Sequence, residues 1–177
     1  MALDSDLVRV AVTGAVYVAP TATTGPTTSS SALDAGFVDL GYVSADGIAE
    51  SIDRTTNQIR AWQNGSLVRE VTSEGTYSVS MTFIETSEAV LELYYGTAQA
   101  SGEFNIDPTS TGGRKSFVID VVDGATVERI YIPAGEITSL GERTLASGEA
   151  VGYEVTITAY ADAGSTTVTK WFSSLEA

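Results

Sequence analysis

The sequence predicts a mainly β protein, an antiparallel β-sandwich or open barrel with one packed α-helix. Two observations carry this reading. Apolar residues recur with a period of two along several segments, as half-buried strands require. A single stretch leaves that period and carries helix signals at both ends.

In chain order, the first strand candidates are short: Ala15 to Ala19, Phe37 to Val43 and Ser66 to Glu74. Tyr77, Val79, Met81 and Phe83 then alternate with Thr76, Ser78, Ser80 and Thr82. The exception follows, Glu88 to Tyr95. Ser87 suits the N-cap, Glu88 the positive end of the helix dipole, and Gly96 a left-handed close. Val90, Leu93 and Tyr94 share a face at helical spacing and are expected to pack on a sheet. Phe117, Ile119 and Val121 alternate with Asp120, while Val118 and Val122 make that strand apolar on both faces. Asp123-Gly124 is a tight-hairpin signal leading into a strand over Ala125 to Ile132. Val151, Tyr153, Val155, Ile157 and Ala159 form the longest regular stripe, opposite Glu154, Thr156, Thr158 and Tyr160. A last strand is expected within Thr166 to Phe172.

The 177 residues fit one domain, 1–177. Within it we distinguish an N-terminal arm, 1–14, a loop, 20–34, a second loop, 44–65, and a C-terminal strand segment, 166–177. Pro20 to Ser31 is a Thr/Ser/Gly segment without core-forming residues, and Ala98 to Gly113 is similar around Asp107-Pro108. Ser44 to Gly65 mixes turn residues with isolated apolar ones and reads as a long loop. Long loops usually serve binding.

Composition narrows function. With no cysteine and no histidine, disulfides, thiolate nucleophiles and imidazole proton transfer are excluded by inspection. The formal net charge of −14 disfavours phosphate backbones, which are bound chiefly by Lys and Arg. No stretch has the ~20 apolar residues that span a bilayer, and Met1 to Val12 does not read as a signal peptide. No membrane partner is expected.

Individual motifs point away from catalysis. Gly112-Gly113-Arg114-Lys115-Ser116 superficially resembles a phosphate loop, but Arg114 stands where that loop needs glycine. A turn before a strand is the better account. Carboxylate pairs of the glycosidase type are numerous, as any acidic surface makes them, and only two tryptophans accompany them. Neither Asp4-Ser5-Asp6 nor Asp120 with Asp123 has calcium-loop spacing. No enzyme activity, cofactor or metal is therefore expected. Glu70, Thr72 and Glu74 are expected to share one strand face, and Glu154, Thr156 and Thr158 another. Each set is either an ordinary solvated face or part of a wall that repels phosphate.

Three blocks, FVDLGYVSADGIAESIDR from Phe37, IRAWQNGSLVREV from Ile59 and FIETSEAVLELYYG from Phe83, resemble the major tail tube proteins of siphophages infecting actinobacteria. PAGEITSLGERTLASGEAVGYEVTITAYAD from Pro133 resembles the same family, so the likeness spans roughly Ala19 to Asp162. The resemblance implies the phage tail tube fold and a structural role in the virion, after synthesis in the host bacterial cytoplasm. It implies hexameric rings, stacked into a tube whose acidic bore passes double-stranded DNA without specific binding. Partners would be further copies of the chain and other tail proteins: tape measure, terminator and baseplate. On this reading Glu70, Glu74, Asp120 and Glu154 are the candidates to line the bore. Ile48, Ile52, Ile59 and Trp62, in the loop 44–65, are the candidates for contact between rings. The alternatives are a carbohydrate- or protein-binding β-sandwich module of a surface or fibre protein, and another ring-forming tail protein such as a terminator or hub.

Overall fold

Period-two apolar stripes do become strands, and in a computed structural model that describes residues 7–176 they join one antiparallel sheet. The elements are β1 (Thr13–Pro20), β2 (Val38–Asp39), β3 (Val43–Arg60), β4 (Leu67–Phe83), α1 (Glu88–Tyr95), β5 (Lys115–Asp123), β6 (Thr126–Leu140), β7 (Tyr153–Ala159) and β8 (Thr169–Phe172). Their order in the sheet is β2-β1-β5-β6-β7-β4-β3, with β8 also paired to β6. Among the described residues the sheet does not close into a barrel. Residues 1–6 of the expected arm, and the last residue of the C-terminal segment, lie outside the described residues.

β6 is the hinge of the architecture. Its first half, Glu128 to Tyr131, pairs with β8, and residues 126–132 pair with β5. Its second half, Gly135 to Leu140, pairs with β7. The chain thus passes from one half of the sandwich to the other through Pro133, Ala134 and Gly135, all buried. A Cβ at Gly135 would lie 2.8 Å from Phe117 and 2.9 Å from Ile157, so the crossing needs glycine where the two halves meet. One core fills the space between them. Val16, Phe117, Ile119 and Ile132 enter it from one half, and Val79, Phe83, Tyr153, Val155 and Ile157 from the other.

The helix is placed and capped as its sequence dictates. The Val90 amide donates to Ser87 Oγ at 3.4 Å, and Gly96 closes the C-terminus at φ 64°. Val90, Leu93 and Tyr94 are the buried face. Tyr94 meets Tyr153 of β7 edge-to-face at 5.4 Å and donates from its hydroxyl to the Gly141 carbonyl at 3.0 Å.

Several boundaries differ from the sequence reading. The largest correction concerns 44–65, which is no loop. Val43 to Arg60 is an 18-residue strand paired with β4. Its residues are mostly polar on both faces because neither face of its outer part is buried, so no alternation betrays it. Ser66 to Glu74 and Tyr77 to Phe83 are likewise one strand, β4, and not two. The Phe37 to Val43 candidate shrinks to a two-residue β2, because Gly41 at φ 76° breaks the extended run. The β5–β6 turn falls one residue later than expected. Asp123 pairs with Thr126, and the loop is Gly124-Ala125.

Candidate functional site

β4 pairs with β7 only as far as Tyr77, opposite Ala159. Beyond that point β3 is its sole partner among the described residues, and residues 51–60 and 66–75 are exposed on both faces. At about 3.3 Å per residue, the ribbon from Asp53 and Thr76 to Arg60 and Leu67 reaches about 25 Å from the body. Asn64 and Gly65 turn its tip with φ 61° and 63°, and Trp62 there is 97% exposed. An isolated two-stranded hairpin is marginally stable in water. Ile59, Leu67, Val68 and Val71 are exposed along it and Ile52 at its root, apolar surface that a monomer leaves wet.

The four residues singled out between 44 and 65 therefore divide. Ile59 and Trp62 stand on the projecting ribbon, and Ile52 is exposed at its root, opposite Tyr77. Ile48 is half-buried and packs against the core.

The body offers a second feature on the face of the sheet opposite the core. Ser78, Ser80 and Thr82 of β4 lie beside Thr158, Thr156 and Glu154 of β7. Glu136 extends the row onto β6, opposite Thr158. Thr76 and Glu74 extend it towards the hairpin, beside Asp53 and Thr55. The result is a continuous hydroxyl-lined wall carrying Asp53, Glu74, Glu136 and Glu154. Glu136 has the guanidinium of Arg114 3.9 Å away, and Arg114 also stacks over the Tyr160 ring at 4.5 Å.

The expected bore residues do not all belong to this wall. Thr55 pairs with Glu74 but Thr56 pairs with Thr72, so Ser73 is an extra residue on β4. Such a bulge shifts the alternation by one. Glu70 and Thr72 thus lie on the opposite face from Glu74, contrary to the sequence reading. There Glu70 accepts from Thr56 Oγ1 at 2.7 Å. Glu74 and Glu154 are on the wall.

Asp120 is elsewhere and is not a free charge. It faces Arg129 across the β5–β6 ladder, and the guanidinium donates to both carboxylate oxygens, at 2.6 and 2.7 Å. Arg129 is 7% exposed. It also donates to the Ser31 and Thr28 carbonyls at 2.6 and 3.3 Å, anchoring the 20–34 segment to the sheet. Hydrogen bonding to Asp120 outweighs burial and holds the guanidinium above its ordinary pKa. The Tyr17 hydroxyl is pushed up too, first by burial and then by Asp39 and Asp120. Beside this network the buried Ser29 donates from its amide and hydroxyl to the Glu176 carboxylate, at 2.7 and 2.6 Å. Those bonds hold Glu176 below the usual carboxylate range.

Two small clefts lie on the body. One of about 230 Å³ lies between α1 and β6, lined by Leu93, Tyr94 and Ile137 to Leu140 among others. One of about 380 Å³ lies beside β1, with Glu92, Arg114 and Lys115 as its charged lining. Neither brings two carboxylates together.

Comparison with known proteins gives a family match for the sequence and fold matches for the structure. The family described as phage tail tube protein matches residues 1–176. Among solved structures, the chain is similar to the anti-feeding prophage tube-terminating cap, with 13% identity and a TM-score of 0.50, covering 96% of this chain and 98% of that one. It is also similar to a chain of the PVC extracellular contractile injection system, from its sheath-tube complex in the extended state. That match has 9% identity and a TM-score of 0.51, covering 94% and 93%. No curated protein matches the chain in sequence.

Proposed function

The chain belongs to the phage tail tube protein family, and on that premise we propose that it is the repeating subunit of a hollow tail tube. Copies join side by side into hexameric rings, the rings stack, and double-stranded DNA passes through the bore. The protein is then a structural component of the virion tail, made in the host cytoplasm and flanked by tape measure, terminator and baseplate proteins.

One observation carries this reading: a hairpin reaching about 25 Å from the body, wet on both faces and tipped by Trp62. Such a ribbon gains stability only against another surface, and in a tube that surface is the next ring. Two further features agree. β3 ends the sheet order, so its 18 residues present an outer edge unpaired among the described residues. Long edges of this kind invite strand pairing between copies. Ring closure with stacking satisfies both contacts by head-to-tail interfaces.

The wall of Ser, Thr and carboxylate side chains suits the bore. Of the four acidic candidates, Glu74 and Glu154 keep that assignment. Asp120 is neutralised by Arg129, and Glu70 points to the other face beyond the bulge. Carboxylates repel phosphate and hydroxyls hold it weakly, so DNA slides.

Electron microscopy of the purified protein tests the proposal. Long hollow tubes are expected. Isolated rings would reassign the chain to a terminator or hub, and persistent monomers to a binding module. For the bore, the double variant Glu74→Lys/Glu154→Lys is expected to assemble but to slow DNA ejection by roughly tenfold, because each lysine adds a phosphate contact. Unchanged ejection kinetics would remove both residues from the lining.

A further inference from the structure

The hairpin leaves the body beside an ion cluster that no consideration of the bore or of stacking uses. Glu50 pairs with Val79, which is fully buried, so its carboxylate stands on the core-side face of β3. Glu128 stands on the core-side face of β6, two residues before the buried Ile130. Two carboxylates from opposite halves of the sandwich thus converge at the rim of the core. Lys170 of β8, opposite Ile130, reaches between them. Its ammonium donates to Glu128 Oε1 at 3.0 Å and to Glu50 Oε2. Tyr77, also on the core-side face, has its hydroxyl buried there without a hydrogen-bond partner among the described residues. Burial, and next the Glu50 charge, push that hydroxyl up. Burial alone would lower the Lys170 ammonium, but its hydrogen bonds to Glu50 and Glu128 outweigh that and hold it above its ordinary value.

The chain carries 23 acidic and nine basic residues. A cation between two partly exposed carboxylates is therefore a scarce resource placed with consequence. Among the described residues, Lys170–Glu50 is the one ion pair that ties the β3–β4 hairpin to any other element. Without Lys170, Glu50 and Glu128 would face each other across the rim and repel, in a setting less screened than open water. The base of the hairpin is where that force acts. A small rotation there is magnified along the ribbon to the tip.

We propose that Lys170 is a positioning residue for assembly: it holds the hairpin at the angle from which the tip meets its partner copy. The C-terminal strand β8 is then a staple across the sandwich mouth. The assembly part of this inference rests on the stacking role proposed above, whereas the angle of the hairpin does not.

Because the chain has no cysteine, two can be introduced cleanly, at Gln63 on the tip and Glu88 on the helix, and spin-labelled. In the monomer, Lys170→Met is expected to broaden the measured distance distribution about twofold, the ribbon being a low-stability unit. Lys170→Arg is expected to keep it narrow. Adding Glu128→Gln to Lys170→Met is expected to narrow it again, because the repulsion is gone although the ion pair is not restored. A merely structural lysine would not give that rescue. An unchanged distribution in Lys170→Met, or no narrowing in the double variant, would overturn the inference. Tube yield is scored in parallel. A broadened hairpin with undiminished tube yield would leave the positioning role intact and sink the stacking role of the hairpin instead.

Discussion

Replacing residues 54–75 by an Asn-Gly turn is expected to leave a folded monomer that forms no tubes. The body should not register the loss, because β4 stops pairing with β7 at Tyr77 and none of the excised residues belongs to the core. The melting temperature should therefore stay within a few degrees of the parent, a shift of about 1 kcal/mol or less. Assembly should be abolished, since the excised ribbon carries Ile59, Leu67, Val68, Val71 and the 97% exposed Trp62. Large aromatic side chains in a desolvated contact commonly carry 2 kcal/mol or more of binding, roughly a thirtyfold change in affinity per contact. Trp62→Ala alone should accordingly raise the protein concentration needed for tubes without altering the monomer. Sedimentation and electron microscopy read both variants. Normal tubes from the truncated chain would exclude the hairpin from the ring contact.

The largest effect on the monomer itself is expected from Asp120→Ala. It removes the carboxylate that compensates a guanidinium whose side chain is 8% exposed. Breaking a buried pair from one side costs about 3 kcal/mol, because the remaining charge keeps its desolvation penalty. The midpoint of denaturant unfolding should fall accordingly. Residues 21–34 should also become more sensitive to protease, since Arg129 holds that segment through the Ser31 and Thr28 carbonyls. The double variant Asp120→Leu/Arg129→Met should recover most of the stability but not the protection of the segment. That split separates the two roles of the arginine. If Asp120→Ala unfolds at the parental midpoint, the pair has no stabilising role.

Much of this was legible in the residues. The stripes of β4, β5 and β7 and the helix with both its caps follow from local chemistry, because a buried face or an orphan amide selects the residue that serves it. The Asp120–Arg129 pair was missed by one step: the expected turn at Asp123-Gly124 sets residue 120 opposite 127, and only the observed loop Gly124-Ala125 sets it opposite 129. The ribbon was not legible. Residues 51–60 have no buried face in the monomer, so they carry no periodic signal and resemble a loop. The face of Glu70 was hidden by the bulge at Ser73, since one unpaired residue inverts every side chain beyond it.

By itself, then, the sequence determined the fold class, the helix, the acidic surface without histidine or cysteine, and the likeness to tail tube proteins. Only the tertiary structure decided that β6 crosses between two half-sheets, that Glu74 and Glu154 share a wall which Asp120 and Glu70 do not, and that Lys170 meets Glu50 from 120 residues away. The physical reason is range. Periodicity and capping are settled within a few residues, whereas strand pairing and ion clusters depend on which distant segments the closing of the core brings together.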